Sequence, residues 1–186
     1  MRLCLGLDVS TSVTGICVIR DHENFDPKVD FLDWRACELS KIESFWKKTD
    51  NVAETLAALS IKFPEINCIF IEEPMKRFAE GFSSAGTVSI LQRINGIICY
   101  VAYKIWNVEP TYVPVSSARK VIGARIVQTK KDPQLRNAKK QTFDFVLAND
   151  LSHIVWPCKK SGAVKDSTYD VVDSYVVARG GCLLNK

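Results

Sequence analysis

The chain has 186 residues, 47% of them apolar, all three aromatic types, and a formal net charge of +4. Such a composition excludes a disordered chain, and the length suits one domain with a full core, residues 1–186, better than two large ones. No apolar run approaches the roughly 20 residues of a membrane span, and Asp8 interrupts the opening apolar stretch too early for a signal peptide, so a cytoplasmic protein without a membrane partner is expected. The seven cysteines (Cys4, Cys17, Cys37, Cys68, Cys99, Cys158 and Cys182) are never spaced C-x-x-C. They read as reduced thiols, neither a disulfide framework nor a zinc site. His22 and His153 have no Cys or His at ligand spacing and read as ordinary surface or turn residues.

The first element is a β-hairpin: two apolar runs, Leu3–Val9 and Ile16–Ile19, flank a cluster of Ser, Thr and Gly. Asp8, the one ionisable residue of its run, stands at the end of the first strand. After a polar loop, Val29–Leu39 alternates as a third strand. Ser40 is placed to cap a helix over Lys41–Lys62, with Ile42, Phe45, Trp46, Val52, Leu56 and Leu59 as its apolar stripe and Phe63-Pro64 as its stop. Asn67–Ile71 is a short strand buried on both faces that ends in Glu72 and Glu73. By alternation Glu73 points away from the side that Glu72 faces.

Met75–Ala85 reads as a loop holding Lys76, Arg77, Phe78 and Phe82. Gly86–Trp106 is the longest helix, apolar on more than one face, and suits either the core or a second subunit. Thr111–Val115 is a strand, Ala118–Ile122 a brief helix capped by Ser116 or Ser117, and Asp132–Asn149 a basic helix entered through Pro133. Between Arg119 and Lys165 the chain gathers Arg119, Lys120, Arg125, Lys130, Lys131, Arg136, Lys139, Lys140, Lys159, Lys160 and Lys165, an asymmetry that points to a polyanionic partner. A final helix, Ser167–Cys182, carries Asp170 and Asp173 three residues apart and so on one face. Asp170 also fits a capping box opened by Ser167.

These elements describe an α/β domain with a mixed sheet covered by helices. In open sheets the ligand site lies at the carboxyl ends of the strands, where Asp8 and Glu72 both fall. Four carboxylates brought together would repel one another, and a divalent metal resolves the conflict. Hard oxygen donors suit magnesium or manganese, not zinc. Two such ions support phosphodiester hydrolysis by activating water and stabilising the leaving oxygen.

Leu5-Gly6-Leu7-Asp8-Val9-Ser10-Thr11-Ser12-Val13-Thr14-Gly15, Ile69-Phe70-Ile71-Glu72-Glu73-Pro74 and Tyr169-Asp170-Val171-Val172-Asp173-Ser174-Tyr175 occur in the order of the first, second and last motifs of the RuvC-type Holliday-junction resolvases. The chain resembles that family, within the ribonuclease H-like superfamily, over nearly its whole length. The basic segment 119–140 and the loop after Glu72 depart from a typical bacterial member, as in a phage, viral or organellar branch, so a nucleoid, a viral replication site or an organelle are locations left open.

The resemblance implies a ribonuclease H-like sheet, two Mg2+ ions (Mn2+ as substitute), and Asp8, Glu72, Asp170 and Asp173 as the metal-binding catalytic acids. It implies a homodimer acting on branched DNA by paired symmetric nicks, with Gly86–Trp106 as the candidate interface. DNA contacts are expected from Lys76, Arg77, Arg119, Lys120, Lys139 and Lys140, with Lys120 and Lys140 as the lysines nearest the site. Phe78 or Phe82 would open the junction. Two alternatives stay open: a nuclease of the same fold acting on another branched DNA or an RNA–DNA hybrid, and a phosphotransferase of the actin/sugar-kinase class. Against the second, Ser10 stands where that class has glycine, and the chain is short for two lobes.

Overall fold

The computed structural model describes residues 1–74, 85–127 and 137–185. Strands β1 (Arg2–Val9), β2 (Val13–Asp21), β3 (Phe31–Glu38), β4 (Cys68–Glu72) and β5 (Thr111–Val113) form one sheet in the order β3-β2-β1-β4-β5. β1 pairs antiparallel with β2 and β2 with β3, whereas β1–β4 and β4–β5 are parallel. The helices are α1 (Pro27–Asp30), α2 (Phe45–Lys62), α3 (Ala85–Trp106), α4 (Val115–Val121), α5 (Ala138–Asn149) and α6 (Ser167–Leu184). The mixed α/β architecture expected from the sequence is the one observed.

Strand alternation splits the core into two layers. Leu5, Leu7, Ile16, Val18, Ile69 and Ile71 face α2 and α3, meeting Val52, Leu56, Ile94 and Ile98. Cys4, Cys17, Ile19 and Phe70 face the other way, against Val171, Val172, Tyr175 and Val176 of α6, with Ala118 of α4 and Phe143 of α5 behind. Both layers are needed because β1 and β4 are internal strands with apolar residues on both faces. The seven cysteines are free thiols, as expected. Among the described residues no helix is long and apolar enough to cross a membrane.

Helix boundaries differ from the sequence expectation where polar residues have other work. Ser44, not Ser40, caps α2, accepting from the Lys47 amide. The chain around Ser40 is taken up by the continuation of β3, where the Leu39 amide bonds the Ser12 carbonyl, and by a turn from Ile42 back to Leu39. Ser116 and Ser117 lie inside α4, which starts directly after Pro114 without a side-chain cap. Asn137 caps α5 through the Lys140 amide; the expected entry at Pro133 lies outside the described residues. The stretch expected to be only loop contains α1, held by Asp26 bonding the Lys28 amide.

The sheet face under α6 is unusually bare. Gly6 and Gly15 sit beneath the helix, and a Cβ on Gly15 would collide with the Asp170 carbonyl. A Cβ on Gly6 would meet the Ser174 carbonyl and come within 2.7 Å of the Ala178 Cβ. Here glycine is required by close approach of two backbones. Gly15→Ala is therefore expected to lower the unfolding free energy by about 1–3 kcal/mol in urea denaturation, the cost of overpacking. Gly96→Ala, on an open face of α3 with nothing within 4 Å of a new Cβ, should instead be neutral or stabilise by up to about 1 kcal/mol.

Candidate functional site: an acidic cluster around a lysine

The turn Ser10–Ser12 follows β1 and is pinned by Ser10, whose Oγ donates to the Val13 carbonyl (2.6 Å) and accepts from the Ser12 and Val13 amides (3.2 and 3.0 Å). That leaves Asp8, paired with Gly15 in the hairpin, one residue from the strand end and buried. Leu7 pairs in register with Ile71, so Glu72 ends β4 beside Asp8. The Glu72 carbonyl accepts from Asn95 of α3 at 3.5 Å. α6 then brings Asp170 over Gly15, and Asp173 one turn on.

Burial is the first cause acting on these carboxyls, and mutual repulsion the second. Asp8 is pushed well above the usual carboxylate range by desolvation and then by the Glu72 charge, against the pull of Lys139. Glu72 is raised by desolvation, eased by its hydrogen bond to Asp8. Asp170 is raised by desolvation, with Lys139 opposing. Burial disfavours the charge of Lys139, but Asp8, Asp173 and Asp170 outweigh it and the ammonium is held more firmly than usual.

The centre of the cluster is that ammonium. Lys139 Nζ stands 2.6 Å from Asp170 Oδ1, 3.3 Å from Asp173 Oδ2 and 3.7 Å from Asp8 Oδ2. Arg119 Nη2 donates to Asp173 Oδ1 at 3.2 Å, and its Nε is buried without a hydrogen-bond partner among the described residues. Of the two lysines expected nearest the acids, Lys140 turns outward to Asp144 (2.6 Å) and Lys120 is exposed. On α5, Lys139 and Lys140 are about 100° apart, so only one can reach the cluster. Lys120 nevertheless lines, with Ser116, Arg119 and Arg125, a cavity of about 640 Å3 whose described lining includes no acid. Lys76, Arg77, Phe78 and Phe82 lie outside the described residues, as do Lys130, Lys131 and Arg136.

The capping-box role of Asp170 is not observed. Ser167 Oγ donates instead to Glu38 Oε1 (3.1 Å), and Asp170 accepts from Lys139. His22 pairs with Asp30 at 2.9 Å. Trp46 was expected in the apolar stripe of α2 but is 63% exposed, because the buried stripe runs through Thr49, Val52, Leu56 and Leu59.

No protein-family model matches the sequence, and no curated protein matches it. Solved structures do match. The RuvC structure of Thermus thermophilus superposes with a TM-score of 0.64 at 12% identity, covering 98% of this chain and 95% of that one. T. thermophilus RuvC in complex with a Holliday junction substrate gives 0.64 at 10% identity, covering 100% and 95%. A yeast mitochondrial Holliday junction resolvase gives 0.54 at 16%, covering 97% and 79%. At these identities the likeness is one of fold, and that fold is the ribonuclease H-like one.

A raised carboxyl binds more protons folded than unfolded, so its charge costs stability above the unfolded value of 3.8. Asp8→Asn, which removes that charge, should be more stable than wild type in metal-free buffer at pH 8. The advantage should shrink as the pH falls toward 4 and be absent below it, as thermal unfolding across that range would read.

Proposed function

We propose that this chain is a magnesium-dependent, structure-selective DNA endonuclease that resolves four-way junctions by paired symmetric nicks, with Asp8, Glu72, Asp170 and Asp173 as its metal-binding catalytic acids. The observation that carries this reading is the convergence of four carboxylates from two strand ends and one helix, three of them in contact with the Lys139 ammonium. A cluster so short of compensating charge is costly to fold and is characteristic of sites with work to do. The basic cavity beside it gives the reading its polyanion, and the Holliday junction named for two of the structural relatives gives it a substrate.

The donor chemistry fits a divalent ion: four side chains offering only oxygen, deprived of solvent and repelling one another. Among the described residues no three acidic, histidine or cysteine side chains are already gathered as a metal shell, because Lys139 holds the middle of the cluster. When bound, magnesium supplies activation of water and neutralisation of charge on the phosphate. Asp8, Asp170 and Asp173 would hold it, with Glu72 serving a second ion. Lys139, displaced from the acids, has its ammonium free for a phosphate oxygen within the same reach. Arg119 keeps Asp173 in place and presents the rest of its guanidinium to the basic cavity, where Lys120 and Arg125 would hold the neighbouring phosphates. Lys140, turned outward, is placed to contact a junction arm.

Two symmetric nicks require two copies of the site. On α3, Ile97 and Tyr100 share one stripe, and Tyr100 is 63% exposed, with Tyr103 one turn on at 41%. This is the face proposed to pair in a homodimer.

With magnesium, labelled four-way junctions should be nicked symmetrically, and a flap, linear duplex and RNA–DNA hybrid should not. Asp8→Asn and Asp173→Asn should each reduce cleavage by at least about 100-fold, the loss of a few kcal/mol of transition-state stabilisation, while junction binding persists. Cleavage mainly of the hybrid or flap would replace the substrate and leave the acids in role. Loss of binding together with cleavage in Asp8→Asn would make Asp8 structural.

A further inference from the structure

We propose that the cleft between the first turns of α2 and α3 binds an unpaired nucleobase of the DNA strand whose backbone crosses the acidic cluster. The proposal rests on the DNA-cleaving reading above and adds a base-binding site to it. The cleft encloses about 420 Å3, within the roughly 300–1,000 Å3 of small-molecule sites. Its walls are aromatic. Phe45 and Trp46 meet edge to face, ring centroids 5.3 Å apart, and Trp46 is 63% exposed. An indole left in water at the start of a helix forgoes much of the gain that burial of its ring would bring. A polar residue would serve α2 as well there, since Ser44 already supplies the cap.

Its charges are those that a nucleotide needs. The Arg93 guanidinium lies over the Phe45 ring, 4.9 Å from its centroid. Among the described residues Lys48 Nζ donates one hydrogen bond, to the Thr11 carbonyl (2.7 Å), and an ammonium has two further N–H groups to offer a phosphate. Glu43 is the acid of the described lining. An exposed aromatic ring flanked by two cations is how single-stranded nucleic acid is gripped without regard to sequence, by stacking and cation–π contact.

Position ties the cleft to the acids. β3 runs parallel to β1, so α2 begins at the sheet edge where Asp8 and Glu72 stand. Thr11 belongs to the turn that leaves β1 three residues after Asp8. The cleft and the α6 acids thus lie on opposite faces of one sheet edge, and a strand crossing that edge passes from one to the other. The occupant has to be unpaired, because a base within a duplex has both faces covered by its neighbours. A branch point supplies such bases.

The test uses the whole protein in EDTA, so that binding is read without cleavage. Wild type should show tryptophan quenching by oligothymidylate, and 2-aminopurine placed at the crossover of a four-way junction should lose emission on binding. Trp46→Ala, checked for folding by circular dichroism, should lose both signals and weaken oligothymidylate binding about 5- to 100-fold, the worth of one stacked base. Trp46→Phe should keep the 2-aminopurine response, and Arg93→Gln should weaken binding in between. Unchanged 2-aminopurine emission and affinity in folded Trp46→Ala would overturn the proposal, even with wild type still resolving junctions. A shift of Trp46→Ala from dimer to monomer in sedimentation, with both DNA signals intact, would make the cleft a contact between copies and also overturn it. Trp46-dependent quenching in a protein that cleaves no junction would keep the base site and remove the resolvase reading instead.

Discussion

The arrangement depends on one contact, the seating of α6 on the β1–β2 hairpin. A helix normally stands off a sheet because side chains intervene. Here Gly6 and Gly15 remove those side chains on the sheet, and the helix backbone comes down onto the strands at Asp170 and Ser174. Gly15 is also the hairpin partner of Asp8. The residue that admits the helix is therefore directly across from the first acid, and the same contact that closes the core brings the α6 acids to the strand ends.

That geometry has an electrostatic cost, which Lys139 and Arg119 offset in part. Both come from the α4–α5 side, so the layer that covers α6 also supplies the cations that let its acids be buried. Lys139 spans three of the four carboxylates, whereas Glu72 relies on its hydrogen bond to Asp8 and on the more distant pull of Arg119 and Lys139. The cluster is held together by a cation that is itself on a helix surface and 40% exposed, a partner suited to being displaced. On the opposite face of the sheet edge, Phe45, Trp46, Lys48 and Arg93 form a surface of different character, aromatic and cationic. The edge thus offers acids on one side and a stacking platform on the other.

Much of the fold was legible from local pattern. Continuous apolar runs marked β1, β2 and β4, alternation marked β3, and the long apolar stripe marked α3, because burial on a strand or helix repeats at short range. The positions of Asp8 and Glu72 at strand ends, and of Asp170 and Asp173 on one helix face, followed from the same periodicities. Caps were less legible. Ser40, Ser116 and Ser117 are sound caps by type, and what displaced them was the reach of β3 and the start of α4 at Pro114, which depend on neighbours distant in sequence. The exposure of Trp46 was likewise hidden, since an aromatic near the helical stripe reads as core until the direction of the stripe is known.

By itself the sequence determined the order of the strands and long helices, the continuous apolar runs that make β1 and β4 internal strands, and the placing of acids at two strand ends and on one helix face, because each follows from residues within a few positions of one another. Only the tertiary structure decided that Lys139 and not Lys140 enters the cluster, that Arg119 holds Asp173, and that Gly15 lies beneath Asp170. Those choices rest on the rotation of α5 about its axis and the height of α6 above the sheet. Such quantities are set by packing between elements distant in sequence, and no local pattern encodes them.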